Sequence, residues 1–337
     1  MSGYHIQRFR GNSCEIGLKI GCHLKGRLRG VIDQFIKAVD QANHLDFGKM
    51  EKEAPAWLGK LPEEFLLELE SMAYSTGVKL DRIAQWIYCE RYITGGCTSF
   101  ISKAGEDVWV GRNNDYAGPN LWRNINVIEK EGCIPVILFG LEGEIFSKAG
   151  YNAEKLWLHY NHLPVWDRPE PDEKAIPPFV FVRMALQKCK SLSDVEHLLQ
   201  TYVRDGGMNL FAVDGKKNSF AVFECTCRGF VKRQSNGKNI AGSNHYVETK
   251  PPKEFSVNAS SSMKRLENIE MLLETRRISD PYKDFISILA DPGVEQNNGL
   301  SGTVYANLAC PSKGLYYYAC NGFPAASKAR FEEVILP

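Results

Sequence analysis

A cysteine, an arginine and an aspartate stand in the segment GGCTSFISKAGEDVWVGRNNDY, which covers residues 95–116. They are Cys97, Arg112 and Asp115. A thiol becomes a good nucleophile only as the thiolate, so a catalytic cysteine needs a base or a positive neighbour to lower its pKa from about 8.5. The segment therefore suggests a cysteine nucleophile with polar partners, provided that the fold brings the three residues together.

The pattern of this segment is that of a β-hairpin. CTSFIS and DVWVGRN alternate apolar and polar residues, and Lys-Ala-Gly-Glu between them is a turn signal. A turn at residues 105–106 pairs residues whose numbers sum to about 211. Cys97 then lies opposite Asn113 or Asn114. In this register Arg112, which is charged at any working pH, lies close enough to favour the thiolate.

Two bases are candidates for activating Cys97. The first is a histidine, as in papain-like proteases, and His245 in GSNHY is the best of the seven histidines. The second is the α-amine of Cys97 itself, which has an unperturbed pKa of about 7.7–8.0 once the bond to Gly96 is cut. Gly95 and Gly96 permit the strained backbone that an N-to-S acyl shift needs, and Asp115 would then hold the α-ammonium. The second base explains more of the segment, and the first stays open.

Composition argues against several classes of protein. With 41 Lys and Arg against 40 Asp and Glu, the net charge of +1 gives no general attraction to nucleic acid or anionic lipid. The chain begins with no export signal and has no stretch of about 18 apolar residues, so we expect no membrane partner and a cytoplasmic location. Cys225 and Cys227 have no second pair at zinc spacing, so we expect no metal and no other cofactor for hydrolysis.

The apolar periodicity divides the chain at about residue 94. Before it, apolar residues repeat at three-to-four spacing, which predicts a mostly helical segment that includes one helix over residues 12–42. After it, strands, helices, strands, helices and strands follow one another. This order suits an α+β fold in which two sheets pack face to face between helical layers.

Motifs along the chain resemble those of a known family, the N-terminal-nucleophile (Ntn) hydrolases that include isopenicillin N acyltransferase. Choloylglycine hydrolases and acid ceramidase are more distant members. The resemblance runs in order from Gly11 to about Leu273, and its motifs are GNSCEIGLKIG, GGCTSF, GRNNDY, KAGYNAEKLWLHYNHLP, GSNHY and SSMKRLENIEMLL. A cysteine far from the chain start favours the acyltransferase branch of the family.

The resemblance implies a role for the residues of the hairpin. Cys97 becomes the nucleophile, and the bond between Gly96 and Cys97 becomes the site of self-cleavage. Arg112 and Asp115 become the polar partners of the nucleophile.

It also implies roles for three residues later in the chain. Asn244 would donate its side-chain amide to the oxyanion of the tetrahedral intermediate, and Asn152 would help to shape that oxyanion hole or the pocket. Arg265 would orient Cys97 or Asn244. Donors of this kind are worth about 3 to 4 kcal/mol each in well-studied hydrolases.

At the level of the whole chain, the resemblance implies the four-layer αββα sandwich of Ntn hydrolases. Residues 1–96 would be a helical pro-segment that stays bound after cleavage, and residues 97–337 would be the catalytic domain. The expected reaction cleaves a linear amide C–N bond of a small molecule through a thioester on Cys97, with water or another amine as acceptor. Acyl-CoA would be the acyl donor in a transferase. A homo-oligomer and a non-catalytic binding protein on the same fold stay open.

Overall fold

The structure is a computed structural model, and it describes residues 3–92, 96–170, 173–235, 237–255 and 258–336. Gly95 lies outside these residues. The helices are α1 (Ser13–His23), α2 (Leu28–Asn43), α3 (Phe47–Leu58), α4 (Glu63–Thr76), α5 (Leu80–Tyr88), α6 (Pro178–Lys188), α7 (Leu192–Thr201), α8 (Ser260–Thr275), α9 (Pro281–Leu289) and α10 (Ala325–Lys328). Within the described ranges, no helix has the length and apolar character that crossing a membrane requires.

The strands form two sheets. They are β1 (His5–Gly11), β2 (Thr98–Ala104), β3 (Asp107–Ala117), β4 (Asn124–Lys130), β5 (Val136–Gly140), β6 (Ala149–Asn152), β7 (Leu156–Leu163), β8 (Gly207–Asp214), β9 (Ser219–Cys225), β10 (Phe230–Lys232), β11 (Asn239–Gly242), β12 (Ser301–Cys310), β13 (Leu315–Ala319) and β14 (Glu332–Glu333). The order in the eight-stranded sheet is β1-β4-β5-β6-β7-β8-β9-β10. The order in the six-stranded sheet is β11-β2-β3-β12-β13-β14.

The two sheets pack face to face between helices, which confirms the α+β sandwich. Between the sheets, the ring of Tyr151 on β6 stacks on that of Tyr316 on β13, with centroids 3.5 Å apart. On the outer face of the six-stranded sheet, Phe285 of α9 packs against Phe100 of β2, with centroids 5.1 Å apart. On the outer face of the eight-stranded sheet, α6 packs on β5, β6 and β7. The β2–β3 hairpin of the six-stranded sheet therefore lies between a helical layer and the eight-stranded sheet.

The N-terminal segment is more than a helical addition to this sandwich. Its strand β1 pairs in parallel with β4 at the edge of the eight-stranded sheet, a strand that the helical prediction missed. The single helix predicted over residues 12–42 is wrong, because Gly26 has a φ of +79° in the turn that separates α1 from α2. Apolar residues of α1–α5 belong to the same core cluster as both sheets. The boundary at residue 96, which cleavage would define, stays a prediction.

The β2–β3 hairpin has the predicted register. Thr98 pairs with Asn113, and the pairing continues in step to Ala104 and Asp107. Continuing this register back by one residue sets Cys97 opposite Asn114. Strand β3 is also paired on its other side with β12, so the hairpin lies inside the six-stranded sheet and not at its edge.

Candidate active site

Cys97 immediately precedes β2 and is buried, with 5% of its surface exposed. Its Sγ lies 3.5 Å from Nη2 of Arg112 and 3.8 Å from Oδ1 of Asn114. Successive side chains of a strand point to opposite faces, so Arg112 and Asn114 share the face of β3 that is turned toward the eight-stranded sheet. The structure thus sets a permanent positive charge beside the sulfur, as the hairpin register predicted.

The Arg112 guanidinium is fully buried and is held from three directions. Nη1 donates to the hydroxyl of Tyr305 at 2.8 Å, while Nη2 donates to Oδ1 of Asn114 at 2.7 Å and to the carbonyl of Tyr160 at 3.0 Å. Burial alone would lower the pKa of Arg112, but Tyr305 and Cys97 favour the cation and the net shift is upward. The cation is therefore fixed in position, and Tyr160 on β7 ties it to the second sheet.

Asp115 follows on the opposite face of β3 and is also buried. Oδ1 accepts a hydrogen bond from the Thr303 hydroxyl at 2.6 Å, and Oδ2 accepts one from Nε2 of Gln296 at 2.6 Å. Burial raises the pKa of the Asp115 carboxyl to about 7, and the nearby Arg265 only partly opposes the shift. The carboxyl therefore titrates in the neutral range. Its role of holding an α-ammonium on Cys97 stays a prediction.

Arg265, in the second turn of α8, reaches the cysteine from outside the six-stranded sheet. Nη1 donates to the carbonyl oxygen of Cys97 at 2.8 Å and to Oγ1 of Thr98 at 2.6 Å. Nη2 donates to Oδ1 of Asn244 at 3.1 Å. Desolvation lowers the pKa of Arg265, although Asp115 and Cys97 favour its charged form. The side chain thus contacts both residues that it was expected to orient.

Asn244 is held with its amide nitrogen on a defined side. Oδ1 accepts from Arg265, and Nδ2 donates to the carbonyl of His162 on β7 at 2.9 Å. An arginine has no acceptor, so the oxygen must face Arg265 and the NH₂ group must face the other way. Within the described residues, Nδ2 donates one hydrogen bond, to His162, which leaves its second hydrogen available. The predicted donation of this hydrogen to an oxyanion stays a prediction.

The predicted role of Asn152 in the oxyanion hole or the pocket is wrong, because the structure does not bring this residue to Cys97. It ends β6 on the outer side of the eight-stranded sheet, where Nδ2 donates to the carbonyls of Leu186 and Cys189, each at 2.8 Å. Its Oδ1 accepts from the backbone N–H groups of Glu154 and Leu156, each at 3.0 Å. These four bonds use the whole capacity of the amide. Asn152 therefore closes a turn and ends α6, and none of its hydrogen-bonding groups is left for an oxyanion.

The structure also does not bring His245 to the sulfur. Its Nδ1 is 2.8 Å from Oγ of Ser262 on α8 and 3.2 Å from Oγ of Ser243, and burial lowers the pKa of the imidazole. In the described part of the chain, no hydrogen bond joins His245 and Cys97. The papain-like alternative requires a hydrogen-bonded cysteine–histidine pair. His245 does not form that pair with Cys97, because its imidazole is hydrogen-bonded to Ser243 and Ser262.

A cleft of about 710 Å³ opens beside Cys97. Among the residues that line it, the carboxylate of Glu90 accepts from Nζ of Lys148 at 2.9 Å and from the Tyr116 hydroxyl at 2.6 Å. Glu90 precedes the Gly96–Cys97 bond, so both sides of that bond contribute to the cleft. The cleft is lined by Glu90, Arg91, Cys97, Arg112, Asp115, Tyr116, Lys148, Tyr160, His162, Val165, Arg168, Pro177, Pro178, Phe179, Asp205, Gly206 and Gly207.

Three residues of this site were not predicted as functional. His162 lines the cleft, and burial with help from Arg168 lowers its pKa to about 4, so its imidazole is neutral at neutral pH. Asn161 joins the two sheets, because its amide bonds Oγ of Ser99 at 2.9 Å and the carbonyl of Gly242 at 3.0 Å. Gln296 contacts Asp115. His162 and Asn161 stand in LHYNHL. The alternation of side chains along this strand was the signal that could have indicated which of its residues face the other sheet. Among the described residues, no cluster of His, Cys, Asp or Glu side chains could hold a metal ion.

A sequence profile decides the family. The profile described as acyl-coenzyme A:6-aminopenicillanic acid acyl-transferase matches residues 102–305, which is more than half of the chain. The chain belongs to this family. The match agrees with the resemblance of its motifs to the Ntn enzymes that include isopenicillin N acyltransferase. None of the curated proteins compared with the chain matches its sequence significantly.

Several solved structures are similar in fold at low sequence identity. A mutant of conjugated bile acid hydrolase from Clostridium perfringens is 14% identical, with a TM-score of 0.46 over 71% of this chain and 97% of that one. The N-acylethanolamine-hydrolyzing acid amidase ortholog of Caenorhabditis elegans is 16% identical, with a TM-score of 0.48 over 72% and 100%. Penicillin V acylase from Agrobacterium tumefaciens is 10% identical, with a TM-score of 0.46 over 71% and 86%. The family assignment itself rests on the sequence match.

Proposed function

We propose that the protein is a self-activating cysteine amidohydrolase or acyltransferase of the Ntn type. Cleavage of the Gly96–Cys97 bond turns Cys97 into an N-terminal residue whose α-amine serves as base for its own thiol. The thiolate attacks the carbonyl of a linear amide, and the amine leaves with the proton that the α-amine returns. The thioester on Cys97 then passes its acyl group to water or to another amine.

The observation that supports this proposal most directly is the set of groups that contact Cys97. Sγ of Cys97 borders the cleft with Nη2 of Arg112 at 3.5 Å, while Nη1 of Arg265 binds the carbonyl of the same cysteine at 2.8 Å. Nucleophile, fixed cation and substrate space thus meet at one residue. Membership of an acyltransferase family supports amide or acyl chemistry there.

The walls of the cleft guide the choice of first substrates. Val165, Pro177 and Phe179 offer an apolar wall for an acyl chain, whereas Arg168 at the edge is exposed and forms no ion pair within the described ranges. N-acyl amino acids, whose carboxylate is complementary to Arg168, are therefore the first compounds to screen. We rank hydrolysis above transfer because water is the commonest acceptor in the wider superfamily. Acyl-CoA is the donor to test for transfer, as the name of the family suggests.

Intact mass spectrometry of the purified protein tests self-cleavage. We expect the wild type to yield two fragments that meet between Gly96 and Cys97. The fragments should elute together in gel filtration, because Glu90 bonds Lys148 and Tyr116 and because α1–α5 share one core with both sheets. Cys97→Ala should stay at the full 38.0 kDa and should release no amine from any substrate. The matched control is Cys89→Ala, since Cys89 is a buried cysteine whose thiol bonds the carbonyl of Trp86 instead.

Each of the alternatives predicts a different outcome. An uncleaved wild type that releases amine from N-acyl amino acids at full rate would reject self-activation and leave an ordinary cysteine hydrolase. A Cys97→Ala protein that keeps the whole cellular effect of the wild type would instead indicate a binding protein on this fold. Fragments in both wild type and Cys89→Ala, with none in Cys97→Ala, support the proposal.

A further inference from the structure

The carbonyl oxygen of Gly96, at the bond that self-cleavage would break, accepts a hydrogen bond from a side chain. Nε2 of Gln296 lies 2.6 Å from this oxygen and 2.6 Å from Oδ2 of Asp115. A backbone carbonyl only accepts hydrogen bonds, so the nitrogen end of the Gln296 amide must face it. The amide thus directs one hydrogen to the carbonyl and the other to the carboxyl.

The backbone on both sides of Gln296 holds the amide in this place. The backbone carbonyl of Gln296 accepts from the backbone N–H of Thr303 at 2.9 Å, and the backbone N–H of Gln296 donates to Oγ1 of Thr303 at 3.3 Å. A Cβ on Gly302, which has a φ of +157°, would lie 2.4 Å from the Gln296 carbonyl oxygen. A Cβ on Gly96 would lie 2.0 Å from Nε2. Only glycine at positions 96 and 302 permits this close approach.

We propose that Gln296 is a catalytic residue of the self-cleavage step, an inference that rests on the function proposed above. Sγ of Cys97 attacks the carbonyl carbon of Gly96, a carbon–sulfur bond forms, and the carbonyl oxygen becomes an oxyanion that Nε2 of Gln296 stabilises. The carbon–nitrogen bond then breaks, and the nitrogen takes the proton of the thiol to become the α-amine of Cys97. Water hydrolyses the resulting thioester, which returns the thiol and leaves Gly96 as a carboxylate.

The two faces of the Gly96–Cys97 bond open on different spaces. The cleft beside the sulfur is lined by Cys97, whereas a second opening of about 560 Å³ is lined by Gly96 and Gln296. Asp115 and Tyr116 border both. The second opening gives water access to the Gly96 side, where the thioester carbonyl would stand. Gln296 therefore serves the acyl group of the chain itself, on the side away from the cleft.

A time course of self-cleavage in newly translated protein tests this role. In a cell-free pulse-chase followed by denaturing gels, Gln296→Ala should cleave about 100-fold more slowly than the wild type, the usual loss for one oxyanion donor. Gln296→Glu keeps the shape of the side chain but loses the amide donor, so it should be slow as well. Asn298→Ala is the matched control, because Asn298 is an exposed amide on the same loop that bonds no atom of the Gly96–Cys97 peptide.

Hydroxylamine separates the acyl shift from the later hydrolysis, because it cleaves a thioester and not an amide. It should leave slow cleavage of Gln296→Ala unchanged, since the thioester has not formed. Rescue by hydroxylamine would overturn the assignment to the acyl shift, and wild-type rates in both Gln296 variants would overturn any role. A wild type and an Asn298→Ala control that both stay intact would instead reject self-activation itself, and this inference with it.

Discussion

The end of the β2–β3 hairpin at Cys97 and the end of β6 at Asn152 are both buried and rich in polar groups, yet they differ in one respect. At β6, the Asn152 amide makes all four of its hydrogen bonds to backbone groups. At the hairpin, Nδ2 of Asn114 and Nε of Arg112 and of Arg265 are buried without a hydrogen-bond partner in the described part of the chain.

This difference separates a structural amide from a functional cluster. A buried polar group without a partner costs about 1–3 kcal/mol, so a fold keeps several of them in one place only against a cost in stability. These three groups belong to side chains that contact Cys97, where a substrate or an oxyanion can supply a missing acceptor. The Asn152 amide itself has all of its partners, and here the same residue type only closes a turn.

The largest effect that tests this comparison is expected at Asn244. Asn244→Ala removes the amide hydrogen that remains free for an oxyanion, so the kcat of amide cleavage should fall by about 100- to 1000-fold. KM should change far less, because the donor acts mainly on the transition state. Steady-state kinetics on the substrate found by screening measures both values. A kcat within threefold of the wild type would show that Asn244 only braces His162 and Arg265.

The comparison predicts the opposite pattern at Asn152. Asn152→Ala should leave kcat unchanged and lower the free energy of unfolding by about 1–3 kcal/mol, because buried backbone groups of the turn and of α6 lose their partners. Urea unfolding and the same kinetic assay measure the two quantities on one preparation. A loss of kcat at unchanged stability would return Asn152 to the site.

The sequence predicts contacts within the hairpin better than contacts between distant elements. The position of Cys97 beside Arg112 follows from alternation and one turn, both of which are local. The contact between Gln296 and Gly96 joins a polar loop to a residue 200 positions earlier, and no periodicity of the loop indicates it. Strand β1 was missed for the same reason, since its partner β4 is a distant parallel strand.

The resemblance to the family predicted some site residues that are distant in sequence correctly, and it predicted one of them wrongly. It indicated Arg265 and Asn244, and the structure joins them to each other and joins Arg265 to Cys97. It also indicated Asn152, because a Gly-x-Asn turn before a strand matches by residue type alone. The face of the sheet on which such a turn packs depends on α6, a helix that follows later in the chain. A local motif does not contain that information.

The last expected effect concerns the pH dependence of stability at Asp115. Its pKa is raised from 3.8 to about 7, so between these values the folded chain keeps a proton that the unfolded chain has lost. The free energy of unfolding should therefore decrease as pH rises through this window, by up to about 1.4 kcal/mol per pH unit. Asp115→Asn should lack this component of the slope.

Urea unfolding at pH 5 and pH 6.5 measures the slope, and both proteins should carry Cys97→Ala so that every molecule remains uncleaved. Burial also raises the pKa of Glu144 to about 7, but Glu144 and its neighbours Lys148 and Glu90 are the same in both proteins, so their contribution cancels in the difference. Equal slopes would mean that Asp115 is ionised throughout the window. Arg265, Thr303 and Gln296 would then offset most of the cost of burying the carboxylate, and Gln296 would face a full negative charge even at pH 5.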